Sequence, residues 1–339
     1  MKFSLFYLPA ALAGSPAAAE AYRLIIDEAC EADSLGFDIA WLAEHHFSTY
    51  GGYIPSIPVL GAAIASRTQR IRIGAAAAIL PLRDAVESAE SFAMLDVVSS
   101  GRLEMGVGRG FLPHEFAARN LTLEERGGRF REGVDVLLGA WKDEPLTYHG
   151  NYYNLDEVNV FPKPVQRPHP PMWIAASISQ ETFELAGRRG FNLLINPYTR
   201  NPEEIARGLG WYRSARAAAG HERATARITV NQHLFVAENE EDARNIPRKP
   251  LLEYLHSVNL AFAVGTVGPV PILAPEAYES MYPDKVLFGT PDRVIDRIRA
   301  WQRQGITDIC FMTQFGSLER ELARASLRLF ADKVMPCFR

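Results

Sequence analysis

The chain is poor in cysteine. Three occur in 339 residues, Cys30, Cys310 and Cys337, and they lie far apart. No CxxC pair and no Cys/His spacing is present, so neither a zinc finger nor a disulfide scaffold is indicated. A reducing cytoplasm is the compartment that suits such a composition. Basic charge is also in short supply. Lys and Arg number 36 against 40 Asp and Glu, for a formal net charge of −4. A general nucleic-acid binder needs a basic face to displace phosphate counterions; the one local cluster is Arg126 to Arg131, so no nucleic-acid partner is expected. There is no apolar run of about eighteen residues, so no membrane span is expected. The apolar start, MKFSLFYLPAALAG, carries a Lys and breaks at Pro9; it reads as a first strand and not as a secretory signal. No internal repeat of about 20–50 residues stands out.

What is present is core material and alternation. Hydrophobic residues make up 47% and charged residues 22% of the chain, enough for one large barrel or two ordinary domains. Eight strand-like runs recur: Phe3–Leu8, Phe37–Ala43, Ile71–Leu80, Leu103–Val107, Pro171–Ala176, Phe191–Asn196, Ile228–Val236 and Ile306–Met312. Most are followed by an amphipathic segment that ends at a glycine, such as Gly36, or begins at a capping residue, such as Asp84 or Thr290. Eight β–α alternations predict an α/β fold of the (β/α)8 TIM barrel type, with a doubly wound open sheet as the alternative. Two intervals break the rhythm: Tyr148–Pro171 and a proline-rich insertion at about 245–284. Long insertions in a barrel often cover the active site.

In a barrel the chemistry sits at the C-terminal ends of the strands, and four motifs fall there. Glu44, His45 and His46 follow the second run in WLAEHHFSTYGGY. Adjacent histidines serve as metal ligands, as acid/base groups or as unrelated polar residues that hold the loop; no third metal ligand is evident nearby. The third run ends IGAAAAILP, with Ala75 to Ala78 placing small residues where bulky ones are usual. Such a wall suits either a flat ligand or a tight strand–helix contact. The fourth ends GVGRG, with Arg109 between glycines; a guanidinium there suits phosphate or carboxylate. It lacks the full GxGxxG and is a weak dinucleotide signal. The fifth ends IAASISQET, where Ser177, Ser179, Gln180 and Thr182 surround the start of a helix, a position suited to phosphate or to ordinary capping. Tyr50, Tyr53, Phe111, Phe161 and Tyr198 are candidates for an aromatic lining.

Taken as an ordered set, these motifs resemble those of the bacterial luciferase-like flavin-dependent monooxygenase family. The resemblance covers nearly the whole chain. It rests on AEHHFSTYG, on GAAAAILPLRDAVESAESFAMLDVVSSGRLEMGVGRGF, on PKPVQRPHPPMWIAAS and on FGTPDRVIDRIRAWQRQGI. It implies a single (β/α)8 barrel over residues 1–339, and an enzyme that takes reduced FMN from a separate flavin reductase. With O2, such an enzyme oxygenates a small organic substrate through a flavin (hydro)peroxide. Within it, His45 matches the proton-transfer histidine, and His46 and Glu44 belong to the same catalytic segment. Ala76 and Ala77 match a strand-end pair that often forms a non-prolyl cis peptide beneath the flavin ring. Arg109 and Ser177 match phosphate contacts, followed by Ser179, Gln180 and Thr182. Gly108 stands where light-emitting members often carry a reactive cysteine, which separates this chain from luciferase itself. Family analogy also implies a homodimer. The alternatives that the resemblance leaves open are a deazaflavin-dependent hydride-transfer oxidoreductase and a non-catalytic flavin-binding protein.

Overall fold

The computed structural model describes residues 1–9, 17–48, 50–177, 179–196, 202–263 and 275–339. Among these, eight parallel strands close into a barrel: β1 (Lys2–Tyr7), β2 (Ile39–Leu42), β3 (Arg72–Ala75), β4 (Leu103–Gly108), β5 (Met172–Ala176), β6 (Asn192–Ile195), β7 (Ile228–Val236) and β8 (Asp308–Met312). Each pairs in parallel with the next, and β8 returns to β1 with Lys2 opposite Asp308. The expected (β/α)8 TIM barrel is therefore the fold, and the open sheet is not. The third run divides at Ala76–Ala77, where the peptide bond is cis. The chain then resumes as Ala78–Ile79, paired with Val107 and Gly108 of β4.

Side chains alternate between the two faces of each strand, as the pleat requires. Leu5, Ile73, Val107, Ile174, Val230 and Phe311 face outward and join the helices in one buried cluster. The surrounding layer comprises α1 (Ala18–Leu35), α2 (Ile57–Arg67), α3 (Ala85–Val98), α4 (Pro113–Ala117), α5 (Arg126–Ala140), α6 (Gln180–Arg188), α7 (Pro202–Ala218), α8 (Glu240–Asn245), α9 (Arg248–Phe262), α10 (Pro275–Met281), α11 (Pro291–Arg303) and α12 (Arg320–Leu329). Gly36 ends α1 with φ of 85°, a left-handed turn that favours glycine. Asp84 caps α3 by accepting from the backbone N–H groups of Val86 and Glu87. Thr290 does stand before α11, but it makes no side-chain cap bond; its hydroxyl donates to Glu240 instead, at 3.4 Å.

Inside the barrel, Trp41 and Trp173 meet edge to face, with centroids 5.1 Å apart. Gly74 makes this possible, because a Cβ there would lie 2.1 Å from the Trp41 ring. Beneath them, at the N-terminal ends of the strands, Glu104 accepts from Trp173 Nε1 at 2.6 Å and from Arg72 Nε at 2.6 Å. Arg227 reaches Glu104 at 3.1 Å and also pairs with Asp308. Glu104 and Asp308 are each 1% exposed. At this end Arg72 and Arg227 pair with the buried carboxylates of Glu104 and Asp308.

The expected insertion at about 245–284 lies between β7 and β8 and holds α9 and α10; its residues 264–274 are outside the described set. Leu251, Tyr254 and Tyr278 from these helices share a buried cluster with Leu8, Ala43, Tyr50 and Leu112, which belong to the C-terminal side of the barrel. The insertion therefore packs at the mouth, not at the charged base. A further hairpin, Leu146–His149 with Asn154–Val158, occupies the interval before β5.

Candidate active site

Glu44, His45 and His46 leave the end of β2 and are buried, at 2%, 7% and 7% exposure. Gly51, with φ of 67°, turns the loop back so closely that a Cβ would sit 2.9 Å from the His45 ring. The two histidines differ in their bonding. His46 Nε2 lies 2.8 Å from Glu44 Oε1, and its Nδ1 lies 3.3 Å from an Arg119 guanidinium nitrogen. A guanidinium only donates, so Nδ1 accepts and Nε2–H donates to Glu44. Both ring nitrogens of His46 are thus committed. Arg83 Nε holds the two Glu44 oxygens at 2.9 and 3.0 Å, which fixes the carboxylate behind the ring.

His45 is oriented from another direction. Its Nδ1 is 3.2 Å from Glu115 Oε1, and the same oxygen accepts from the His46 backbone N–H at 2.8 Å. Glu115 lies on α4 and is fully buried. With a carboxylate as its partner, Nδ1 carries the hydrogen, and Nε2 is the nitrogen that can take or give a proton. The His45 ring lies against Tyr50 at 4.9 Å and edge-on to Phe111 at 5.6 Å. Burial pushes the Tyr50 phenol above its ordinary range, while a hydrogen bond to Tyr254 of α9 pulls it back. Tyr254 in turn contacts His233 of β7, with ring centroids 4.6 Å apart. Burial lowers the His233 pKa to about 3, so this imidazole is neutral.

Three small residues form the neighbouring wall. A Cβ on Gly108 would meet Ala77 Cβ at 3.2 Å and Ala175 Cβ at 3.8 Å. Ala76 stands beside Trp41 and Trp173 at the top of the interior cluster. Backbone thus approaches the mouth of the barrel from β3, β4 and β5 without bulky side chains.

Arg109 continues from β4 to meet the start of α6. Its Nη1 donates to Thr182 Oγ1 at 3.2 Å and to Glu181 at 3.1 Å. Arg131 of α5 binds the other Glu181 oxygen at 2.7 Å. Ser177 and Ser179 are exposed just before the helix, and the Ser179 side chain makes no cap bond. Gln180 is turned along the helix, where its amide donates to Glu184 at 2.7 Å. Thus Arg109 and Thr182 are brought together, Ser177 and Ser179 border them, and Gln180 is occupied elsewhere. Among the aromatic candidates, Tyr50 and Phe111 flank His45. Phe161 instead projects into solvent against Lys163, and Tyr198 lies outside the described residues.

Sequence reasoning missed Glu115, Arg83, Arg119, Arg131 and Glu181. Arg83 reaches Glu44, and Glu115 and Arg119 reach His46, from 39 to 73 positions away in the chain, and no local pattern marks them. Arg131 did stand out within the basic cluster, without a role.

The paired histidines and Arg109 of the arginine fork thus stand on loops that follow the C-terminal ends of the barrel strands. The sequence model described as luciferase-like monooxygenase matches residues 1–308, and the chain belongs to that family of flavin-dependent enzymes. The oxygenase component of the flavin-dependent trigonelline monooxygenase of Acinetobacter baylyi is 27% identical over 355 residues, covering 100% of this chain and 96% of that protein. Among solved structures, monooxygenase RslO1 from Streptomyces bottropensis superposes with a TM-score of 0.91 at 29% identity, over 100% of both chains. The oxygenating constituent of 3,6-diketocamphane monooxygenase from Pseudomonas putida, solved with FMN, gives a TM-score of 0.80 at 21% identity, covering 99% and 98%. A relative with another cofactor also matches. The F420-dependent glucose-6-phosphate dehydrogenase of Amycolatopsis mediterranei is 29% identical over 185 residues, 52% of this chain and 55% of its own.

Proposed function

We propose that the protein is the oxygenase of a two-component system, using reduced FMN from a separate flavin reductase, and O2, to oxygenate a small organic substrate. The observation that carries this reading is the unequal bonding of the histidine pair. His45 is oriented through Nδ1 by Glu115 and keeps Nε2 for proton transfer, whereas His46 is fixed at both nitrogens. A flavin-storage protein has no use for an oriented acid/base group.

The residues present fit a phosphate-bearing flavin. Arg109, Arg131, Thr182 and the serines before α6 supply donors for a phosphate monoester. The Ala77, Gly108 and Ala175 wall leaves room for a flat ring system. When bound, reduced flavin supplies the electrons that activate O2. The chain's own contribution is position and dryness. His45 Nε2 holds or releases a proton, Glu115 orients it, and Glu44 with Arg83 fixes His46 as a wall. Tyr254 of α9 and Tyr278 of α10, in the described part of the 245–284 insertion, cover the mouth as a lid and limit water entry. In this reading the whole chain, residues 1–339, is one barrel domain.

Self-association is part of the proposal. Val59 on α2 and Met94, Val97 and Val98 on the adjacent α3 form an exposed apolar strip, which suits a homodimer. The three cysteines are unpaired, consistent with work in the cytoplasm. Among the described residues no helix is long and apolar enough to cross a membrane.

The F420 relatives make hydride transfer the second reading. The test is to mix the protein anaerobically with reduced FMN, then admit O2. Release of oxidised FMN and hydrogen peroxide should be slower than from free reduced FMN. Reoxidation at the free-flavin rate, with hydride exchange seen only when reduced F420 is supplied, would reverse the assignment.

A further inference from the structure

Two arginines from different elements converge on one carboxylate. Arg109, past the end of β4, holds one oxygen of Glu181 at 3.1 Å, and Arg131 of α5 holds the other at 2.7 Å. Gly127 shapes the same spot, since a Cβ there would approach Arg109 Nη2 to 3.2 Å. Two guanidinium groups and the Thr182 hydroxyl are the donor set that a phosphate monoester takes. The carboxylate standing on them belongs to the protein. Its side chain is 50% exposed, whereas that of Arg109 is 24% exposed. Glu181 can therefore swing into solvent with little steric cost, while Arg109 is held.

We propose that Glu181 is a built-in competitor for the flavin phosphate, occupying the arginine fork in the free protein and leaving it when flavin enters. This rests on the fork being the phosphate site. A phosphate dianion carries more charge and more acceptor oxygens than a carboxylate, so it displaces Glu181. Each entry then forfeits two ion pairs, and each departure restores them. The consequence is weaker retention of flavin without loss of selectivity for its phosphate. That is the behaviour required of a protein that receives reduced flavin from a partner and returns it oxidised after every turnover. Glu181 thereby makes the flavin a shuttled cosubstrate and not a resident group.

The experiment uses the full-length protein, with oxidised FMN and riboflavin titrated by flavin fluorescence and inorganic phosphate as a competitor. Glu181→Gln should bind FMN about tenfold more tightly, the equivalent of two exposed ion pairs no longer lost on entry. FMN should dissociate more slowly, riboflavin affinity should be unchanged, and inorganic phosphate should compete at lower concentration. Glu181→Ala, checked by thermal unfolding, should behave alike. Unchanged or weaker FMN binding in both variants overturns the proposal and makes Glu181 an organiser of the fork. A parallel change for FMN and riboflavin overturns it too, because the effect would not lie at the phosphate. If the unmodified protein binds FMN but does not distinguish it from riboflavin, the phosphate assignment of the fork falls, and this inference with it.

Discussion

The two ends of the barrel use polar residues in opposite ways. At the base, Glu104 serves Arg72, Arg227 and Trp173 together, Asp308 completes the set, and the two tryptophans close the interior above them. At the mouth, the strand ends carry alanine and glycine, His45 is oriented through Nδ1 by Glu115, and the arginine fork holds a half-exposed carboxylate. Buried charges at the base are consumed in holding the strands together. Those at the mouth are oriented by partners but left with capacity. A barrel gains stability at the first end and activity at the second, and the contrast can be broken from either side.

The largest effect is expected at the mouth. His45→Ala should lower product formation by about 10²–10⁴-fold, the usual worth of a positioned acid/base group. FMN affinity should stay within a few-fold and O2 should still be consumed, appearing as hydrogen peroxide. Product yield equal to the parent's would remove His45 from the chemistry. At the base, Glu104→Ala takes a carboxylate from Arg72 and Arg227 and leaves the Trp173 indole N–H without its acceptor, while Arg227 keeps Asp308. Both arginines retain some solvent contact, so the cost should be near the lower end of the range for broken buried pairs, about 3 kcal/mol, read by chemical denaturation. Turnover per folded molecule should be unaffected; a specific loss of turnover would show that the two ends are not separable.

A third test lies between them, at His233. Its folded-state pKa is about 3 because of burial, against roughly 6.5 for an exposed imidazole. Below that upper value the unfolded chain binds a proton that the folded chain refuses. This group's stabilisation is therefore complete above about pH 6.5 and is lost as pH falls toward 3, amounting to about 2 kcal/mol by pH 5. His233→Gln should flatten that part of the stability–pH curve; an unchanged slope would assign acid sensitivity to other groups. The smallest effect should come from Gly108→Ala. Its new methyl would press on Ala77 at 3.2 Å. Stability should change by less than about 1 kcal/mol, while FMN affinity falls several-fold. Reduced thermal stability with unaltered FMN binding would assign Gly108 to packing alone.

The mouth was legible wherever its residues are neighbours in the chain. Glu44-His45-His46, the alanine run, GVGRG and SISQET are each local strings at a strand end, and their order carried the family resemblance. Their partners were not legible. Glu115 reaches His46 across 69 positions and Arg109 reaches Glu181 across 72, and neither separation leaves a trace in local periodicity. Helix α5 escaped for a different reason. Its Gly127, Gly128, Gly133 and Gly139 weaken helix propensity, yet a Cβ at Gly139 would lie 2.7 Å from Leu146 and one at Gly128 would lie 2.5 Å from Tyr152. Those glycines are there for contacts that the linear pattern does not display. The bond of Gln180 to Glu184, four residues on, was not legible either.

By itself, then, the sequence determined the number and order of the barrel strands, the small-residue wall and the identity of the histidine pair. Each depends on the alternation of side chains along a strand or on adjacency in the chain. Tertiary structure decided the rest: that β8 closes on β1, that Glu115 orients His45 while Arg119 and Glu44 immobilise His46, and that Glu181 sits on the arginine fork. Those outcomes require groups remote in the chain to meet at hydrogen-bond distance, and only the closing of the barrel brings its strand ends around a common mouth.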